Sequence, residues 1–183
     1  MLYTIPLTYR ASRHNLFSNF SRRGIVVGVI MLFVINLYGQ TPSVAPKNMK
    51  VYALQDLSFG CFCITNNSGG TVVISPHGIR TCNGVACMPS SYGAPAIFNV
   101  KLVQGRIVHL VFPASATLFR VGGVGSMTIT DFTSDKPGES FITTASHPFM
   151  NSISVGATLN VGSMAENPSG NYRGDFLVTF ARE

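Results

Sequence analysis

Beyond residue 50 the chain alternates short apolar runs with turn-forming clusters. Side chains on one face of a strand recur every second position, so runs of this kind predict strands. Residues 50–60 read as a first strand. The stretch NNSGG at 66–70 is a turn leading into 71–75, which Pro76 ends. Asn83-Gly84 is the strongest short hairpin signal in the chain and predicts that 78–82 pairs with 85–88. Gln104-Gly105 predicts a second tight reversal between 96–103 and 106–112. Gly122-Gly123 separates 117–121 from 125–132, and after the loop SDKPG come 140–144 and 152–161. The clearest alternation closes the chain, over 172–181. Tyr172, Gly174, Phe176, Val178 and Phe180 share one face, and Arg173, Asp175 and Thr179 share the other, as in a long half-buried terminal strand. About ten strands, with no sustained helical period among them, predict an all-β, antiparallel sandwich or barrel. Two short stretches echo each other, Ala116-Thr117-Leu118 before Val124-Gly125-Ser126-Met127 and Ala157-Thr158-Leu159 before Val161-Gly162-Ser163-Met164. Two copies are too few for a solenoid.

The N-terminus follows a different pattern. Arg10, Arg13, Arg22 and Arg23 precede residues 24–37, GIVVGVIMLFVINL, in which Asn36 is the one polar residue. A basic segment followed by an apolar run of this length reads as a signal peptide over 1–39. A spanning helix needs about 20 apolar residues, more than this run supplies. Gly39 offers a small residue before Gln40, although Leu37 at the −3 position is not small. An uncleaved anchor and a buried core helix are the other readings. Residues 40–50, with Pro42 and Pro46, form an exposed leader, and 51–183 a single β-sandwich domain. The mature chain would hold 144 residues, enough for a core without staples, and no membrane span.

Charge adds little once the leader is set aside. The chain carries 13 Lys+Arg and 7 Asp+Glu, but the mature part has nine basic against seven acidic side chains. A nucleic-acid partner would want clustered basic residues in the folded part, and none is expected. Charged residues make up only 11% of the chain and 46% is hydrophobic, which excludes a disordered tail.

The candidate chemistry is sparse. Cys61, Cys63, Cys82 and Cys87 are disulfide candidates in an exported, oxidising setting. Cys61 and Cys63 point to one face of a strand. In the expected hairpin Cys82 and Cys87 are diagonal and poorly placed for each other, so bridges from the first pair to the second fit better. Reduced buried thiols and a four-thiolate zinc site are the alternatives. His14, His77, His109 and His147 show no metal-ligand spacing, and His109 reads as a core or edge histidine. No serine sits in a nucleophile elbow, and no glycine cluster carries the Lys-Ser/Thr of a phosphate loop. Asp131, Asp135 and Glu139 read as a solvated loop, with acid–base work or calcium as the sharper alternative. Phe141, Phe149, Tyr172, Phe176 and Phe180 read as core, with a sugar-binding face as the alternative. No catalytic residue, cofactor or metal is expected.

Several ordered stretches carry a family resemblance. They are Leu57-Ser58-Phe59-Gly60, Gly69-Gly70-Thr71-Val72, Gly78-Ile79-Arg80, Pro95-Ala96-Ile97-Phe98 and Gly125-Ser126-Met127-Thr128. Val155-Gly156-Ala157-Thr158-Leu159-Asn160-Val161 and Gly170-Asn171-Tyr172-Arg173-Gly174 complete the set. In this order the stretches resemble the bacterial secreted family known as domain of unknown function 4402, over roughly 54–180. The family is similar to spore-coat U-like and pilus-subunit domains. The resemblance implies an immunoglobulin-like sandwich, exported to the periplasm, cell surface or medium. It also implies a structural or adhesive role, of fimbrial type, with self or other surface subunits as partners. On that reading Gly170, Tyr172, Gly174, Phe176, Val178 and Phe180 form a terminal-strand assembly face. The leader 40–50 makes a poor donor strand, because Pro42, Pro46 and Lys47 break the apolar alternation that strand donation needs. Pilus subunits favour an aromatic next to last, where Arg182 stands here. A stand-alone carbohydrate- or protein-binding module is the alternative, and an enzyme is not expected.

Overall fold

Val, Ile, Thr and Phe dominate the runs after residue 48. In the computed structural model, which describes residues 48–183, these runs form thirteen strands. They are β1 (Lys50–Gln55), β2 (Phe62–Ile64), β3 (Gly70–Ile74), β4 (Arg80–Asn83), β5 (Val85–Cys87), β6 (Ala96–Lys101) and β7 (Ile107–Val111). β8 (Ala116–Arg120), β9 (Ser126–Ser134), β10 (Ser140–Ile142), β11 (Met150–Val161), β12 (Tyr172–Arg173) and β13 (Thr179–Arg182) follow. One 3-10 turn, Pro137–Glu139, is the sole helical element among the described residues. The expected signal peptide 1–39 and residues 40–47 of the leader lie outside the described residues.

The fold is an all-β antiparallel sandwich. The large sheet runs β1-β6-β11-β9-β8-β12, with β3 and β4 attached through β11. β11 is its centre. One edge of this strand is shared by β6, along Met150 to Val155, and β3, along Ala157 to Val161, and the other edge pairs with β9. A three-stranded sheet, β10-β7-β13, covers part of this face, and β2 and β5 make a separate ribbon. The pleat explains the core. Ile153, Val155, Ala157, Leu159 and Val161 of β11 all point inward, with Val72 and Ile74 of β3, Ala96 and Val100 of β6, and Met127 and Ile129 of β9. Val108 and Leu110 of β7 meet them from the small sheet. At Gly156 the backbones approach so closely that a Cβ would land on the Ile74 carbonyl.

Three expectations need correction. Asn83-Gly84 does not close a hairpin: β4 pairs with β3, and β5 pairs with β2. Gly84, at φ +72°, turns a corner between two sheets instead. Gln104-Gly105 reverses the chain, but its flanking strands β6 and β7 fall in opposite layers. The long terminal strand is two short ones. β12 pairs with β8 in the large sheet and β13 with β7 in the small one, and residues 174–178 cross between the layers. A chain that changes layer must give up ladder bonds on the way. Its side-chain alternation persists nonetheless, with Phe176, Val178 and Phe180 half-buried and Asp175, Leu177 and Thr179 exposed. The Gly122-Gly123 turn does join a paired hairpin, β8 with β9. The internal echo is matched only in part: both Ala-Thr-Leu stretches lie on strands of the large sheet, β8 and β11, but Ser126 opens a strand while Ser163 lies in the loop after β11.

Candidate functional site

The terminal-strand residues divide between the two ends of the crossing segment. Tyr172 sits on β12, and its hydroxyl donates to the Pro168 carbonyl at 2.7 Å, the kind of tyrosine corner that ties the turn before a sandwich strand. Gly170 lies against the Arg120 side chain, whose Nε donates to the Ser169 carbonyl at 3.0 Å. Gly174 lies against the backbone of Thr117 in β8. These three make a structural corner. Phe176, Val178 and Phe180 gather elsewhere. Phe176 packs on Phe132 with ring centroids 5.1 Å apart, and Phe180 meets Phe98 edge-on at 5.6 Å.

Around them opens a groove of about 490 Å³, lined by Val51, Ala53, Phe98 and the stretch from Phe176 to Phe180. Its physical origin is in β1. Val51 stands opposite Val100 and Ala53 opposite Phe98, so both present the sheet's inner face. Yet every residue of β1 is exposed, Val51 to 40%. β13 ends the small sheet and β1 ends the large one, and residues of both line the groove. Among the described residues the inner face of β1 is therefore an apolar surface without a second layer. Sequence reasoning singled out Phe176, Val178 and Phe180 but missed Val51, Ala53 and Phe98. The alternation in β1 and β6 was legible. That one stretch of inner face lies uncovered was not.

The cysteines pair differently from expectation. Cys82 and Cys87 are joined, with Cα atoms 6.1 Å apart, and Cys61 and Cys63 are free and exposed. The corner at Gly84 is the reason. With no hairpin the two residues are not diagonal partners, and the bend brings both toward the interior. Cys87 opposes Phe62, so Cys61 and Cys63 lie on the other face of the β2–β5 ribbon and point away from it. This overturns both the cross-pairing and the four-thiolate site. Among the described residues no three His, Cys, Asp or Glu side chains cluster to hold a metal.

The remaining candidates find local partners. Asp135 accepts from the Ser154 N–H at 2.8 Å and pairs with Lys136 at 2.7 Å. Asp131, at φ +50°, sits where the β9–β11 register shifts, a bulge. His109 lies on β7, half-buried, against Glu183 at 3.2 Å. Phe141, Tyr172, Phe176 and Phe180 pack against the core, and Phe149 meets the His147 ring at 5.8 Å. Glu166 is held below the usual glutamate value of 4.5 by hydrogen bonds from the Ser163 N–H and hydroxyl. No helix among the described residues is long and apolar enough to cross a membrane.

The sequence profile of the family described as domain of unknown function (DUF4402) matches residues 49–181, from the first strand to the last. The chain belongs to the DUF4402 family. The match encloses both the groove and the cysteine ribbon, so each is part of the DUF4402 domain itself. No curated protein and no solved structure matches the chain.

Proposed function

We propose that this DUF4402 protein is an exported surface subunit that acts by contact, accepting an extended apolar strand from another subunit at the open seam between β1 and β13. The observation that carries this reading is the uncovered inner face of β1, with Val51 and Ala53 in register with the core yet exposed. A strand added beside β13 would extend the small sheet, satisfy its terminal ladder groups and cover Val51 and Ala53. Its alternate residues would have to be apolar to fill the groove. The signal-like N-terminus supports export, and the resemblance drawn from the sequence to pilus-subunit and spore-coat U-like domains supports assembly. The leader, with Pro42 and Pro46, is a poor occupant, so the strand comes from another segment of a second copy.

The test is the mass of the exported, mature protein in solution across a concentration series. Growth into oligomers or fibres is expected. A monomer at every concentration, with the groove residues protected from solvent exchange, would overturn the reading and favour a self-complete binding module.

A further inference from the structure

β2 and β5 form a ribbon whose two faces differ in chemistry. Phe62, Ile64, Val85 and Cys87 turn toward the core. The ladder extends one residue past the strands, because the Met88 N–H donates to the Cys61 carbonyl at 3.0 Å. Met88 is therefore opposite Cys61, as Cys63 is opposite Ala86. Cys61, Cys63 and Met88 consequently share the outer face, and all three are exposed, Met88 to 41%.

Residues two apart on a strand stand roughly 7 Å apart at Cα with parallel Cβ vectors. Their thiols lie side by side rather than aimed at each other, which suits an ion held between them better than a disulfide. Met88 is the direct neighbour of Cys61 and the diagonal neighbour of Cys63, a separation of roughly 7–8 Å that a long side chain bridges.

The surrounding bonds fix this arrangement. The Arg80 guanidinium donates to the carbonyls of Met88 at 2.7 Å, Phe59 at 3.4 Å and Cys61 at 3.5 Å, tying both strands together from one side chain. Ser91 Oγ accepts the Cys61 N–H at 2.9 Å, and the Cys82–Cys87 bond anchors β5 to β4.

We propose that Cys61, Cys63 and Met88 form a binding site for a soft monovalent cation, Cu(I). Two thiolates and a thioether are the donor set that selects this ion. Cu(I) is satisfied by two or three sulfur ligands, whereas a structural zinc site needs four, and among the described residues no further His, Cys, Asp or Glu joins the cluster. Binding displaces one proton from each thiol and involves no change of oxidation state. Two thiolates around one Cu(I) carry a net negative charge, beside the Arg80 cation.

The test uses the full exported chain, kept anaerobic, with its two free thiols counted beforehand, titrated with Cu(I) delivered in acetonitrile. Thiolate-to-copper absorption in the ultraviolet and competition with a chromophoric Cu(I) chelator report binding. One equivalent is expected to bind, undisturbed by an equal concentration of Zn²⁺. Cys61→Ser and Cys63→Ser should each remove tight binding, and Met88→Leu should weaken it roughly tenfold. The three side chains are exposed, so an unchanged circular dichroism spectrum is expected in each variant and separates loss of a ligand from loss of the fold. Titration with Ag(I), a redox-inert congener, should give the same stoichiometry. No binding at one equivalent, binding that survives both serine substitutions, an unaffected Met88→Leu variant, or Cys61 and Cys63 found joined would each overturn the site.

Discussion

Asn151 shows how one polar side chain can organise a loop inside an apolar layer. It lies on the inward face of β11, 8% exposed, and its Oδ1 accepts from the N–H groups of Thr144 and Ala145 while its Nδ2 donates to the carbonyls of Val100 and Phe149. Truncation would strand several of these backbone groups away from water. Asn151→Ala should therefore cost about 2 kcal/mol in denaturant unfolding. Glu166 closes the loop after β11 in a comparable way, as a charged acceptor for Ser163. Its acidity is raised in the fold, so its contribution is present above the usual value of 4.5 and is lost as pH falls through the lower folded value. Glu166→Gln should lower the melting temperature near neutral pH, and the difference from wild type should vanish well below pH 4.5. Residues such as these were readable only as polar side chains in a β-rich chain. Asn151 reaches the Val100 carbonyl, from an element far away in sequence, whereas Glu166 bonds within its own loop.

At the scale of elements, β11 carries the fold. It pairs with β3, β6 and β9 and places Ile153, Val155 and Leu159 in the core. Ile153 is fully buried. Ile153→Ala removes apolar contact on a strand that cannot collapse inward, since three neighbours hold its register. A loss of about 3–4 kcal/mol is expected, read as a shift in the unfolding midpoint at unchanged slope. Most strands were legible, because a half-buried strand imposes period two on its own residues. Pairing was legible only where a turn joins neighbours, as β8 joins β9. It was misread at Asn83-Gly84 and Gln104-Gly105, where the same turn chemistry serves a corner or a change of layer. A dipeptide specifies local φ and ψ and says nothing of which sheet the next strand enters. The cysteine pairing failed for the same reason: it was argued from a hairpin that does not form.

For the whole molecule the decisive feature is the mismatch between the two layers. Among the described residues a small sheet ending at β13 leaves the inner face of β1 uncovered, with Phe98, Phe176 and Phe180 lining a groove. If assembly runs through this seam, an edge lysine should block it. Val51→Lys is exposed in the free domain, so its stability should stay within about 0.5 kcal/mol of wild type. Its mass should remain that of a monomer at concentrations where the wild type grows. Growth of the variant equal to wild type would exclude β1 from the contact.

The sequence by itself determined the class of the fold, the positions of most strands and the alternation of each, because these follow from side-chain periodicity and local turn preference; the family followed from the resemblance of its ordered stretches. It also marked Phe176, Val178 and Phe180 as one inward face. The tertiary structure alone decided which strands share a sheet, where the chain changes layer, which cysteines meet, and which inward-facing residues find a second layer. Those outcomes depend on contacts between residues tens of positions apart. For such contacts the free energy depends on the arrangement of all the strands together rather than on any short stretch.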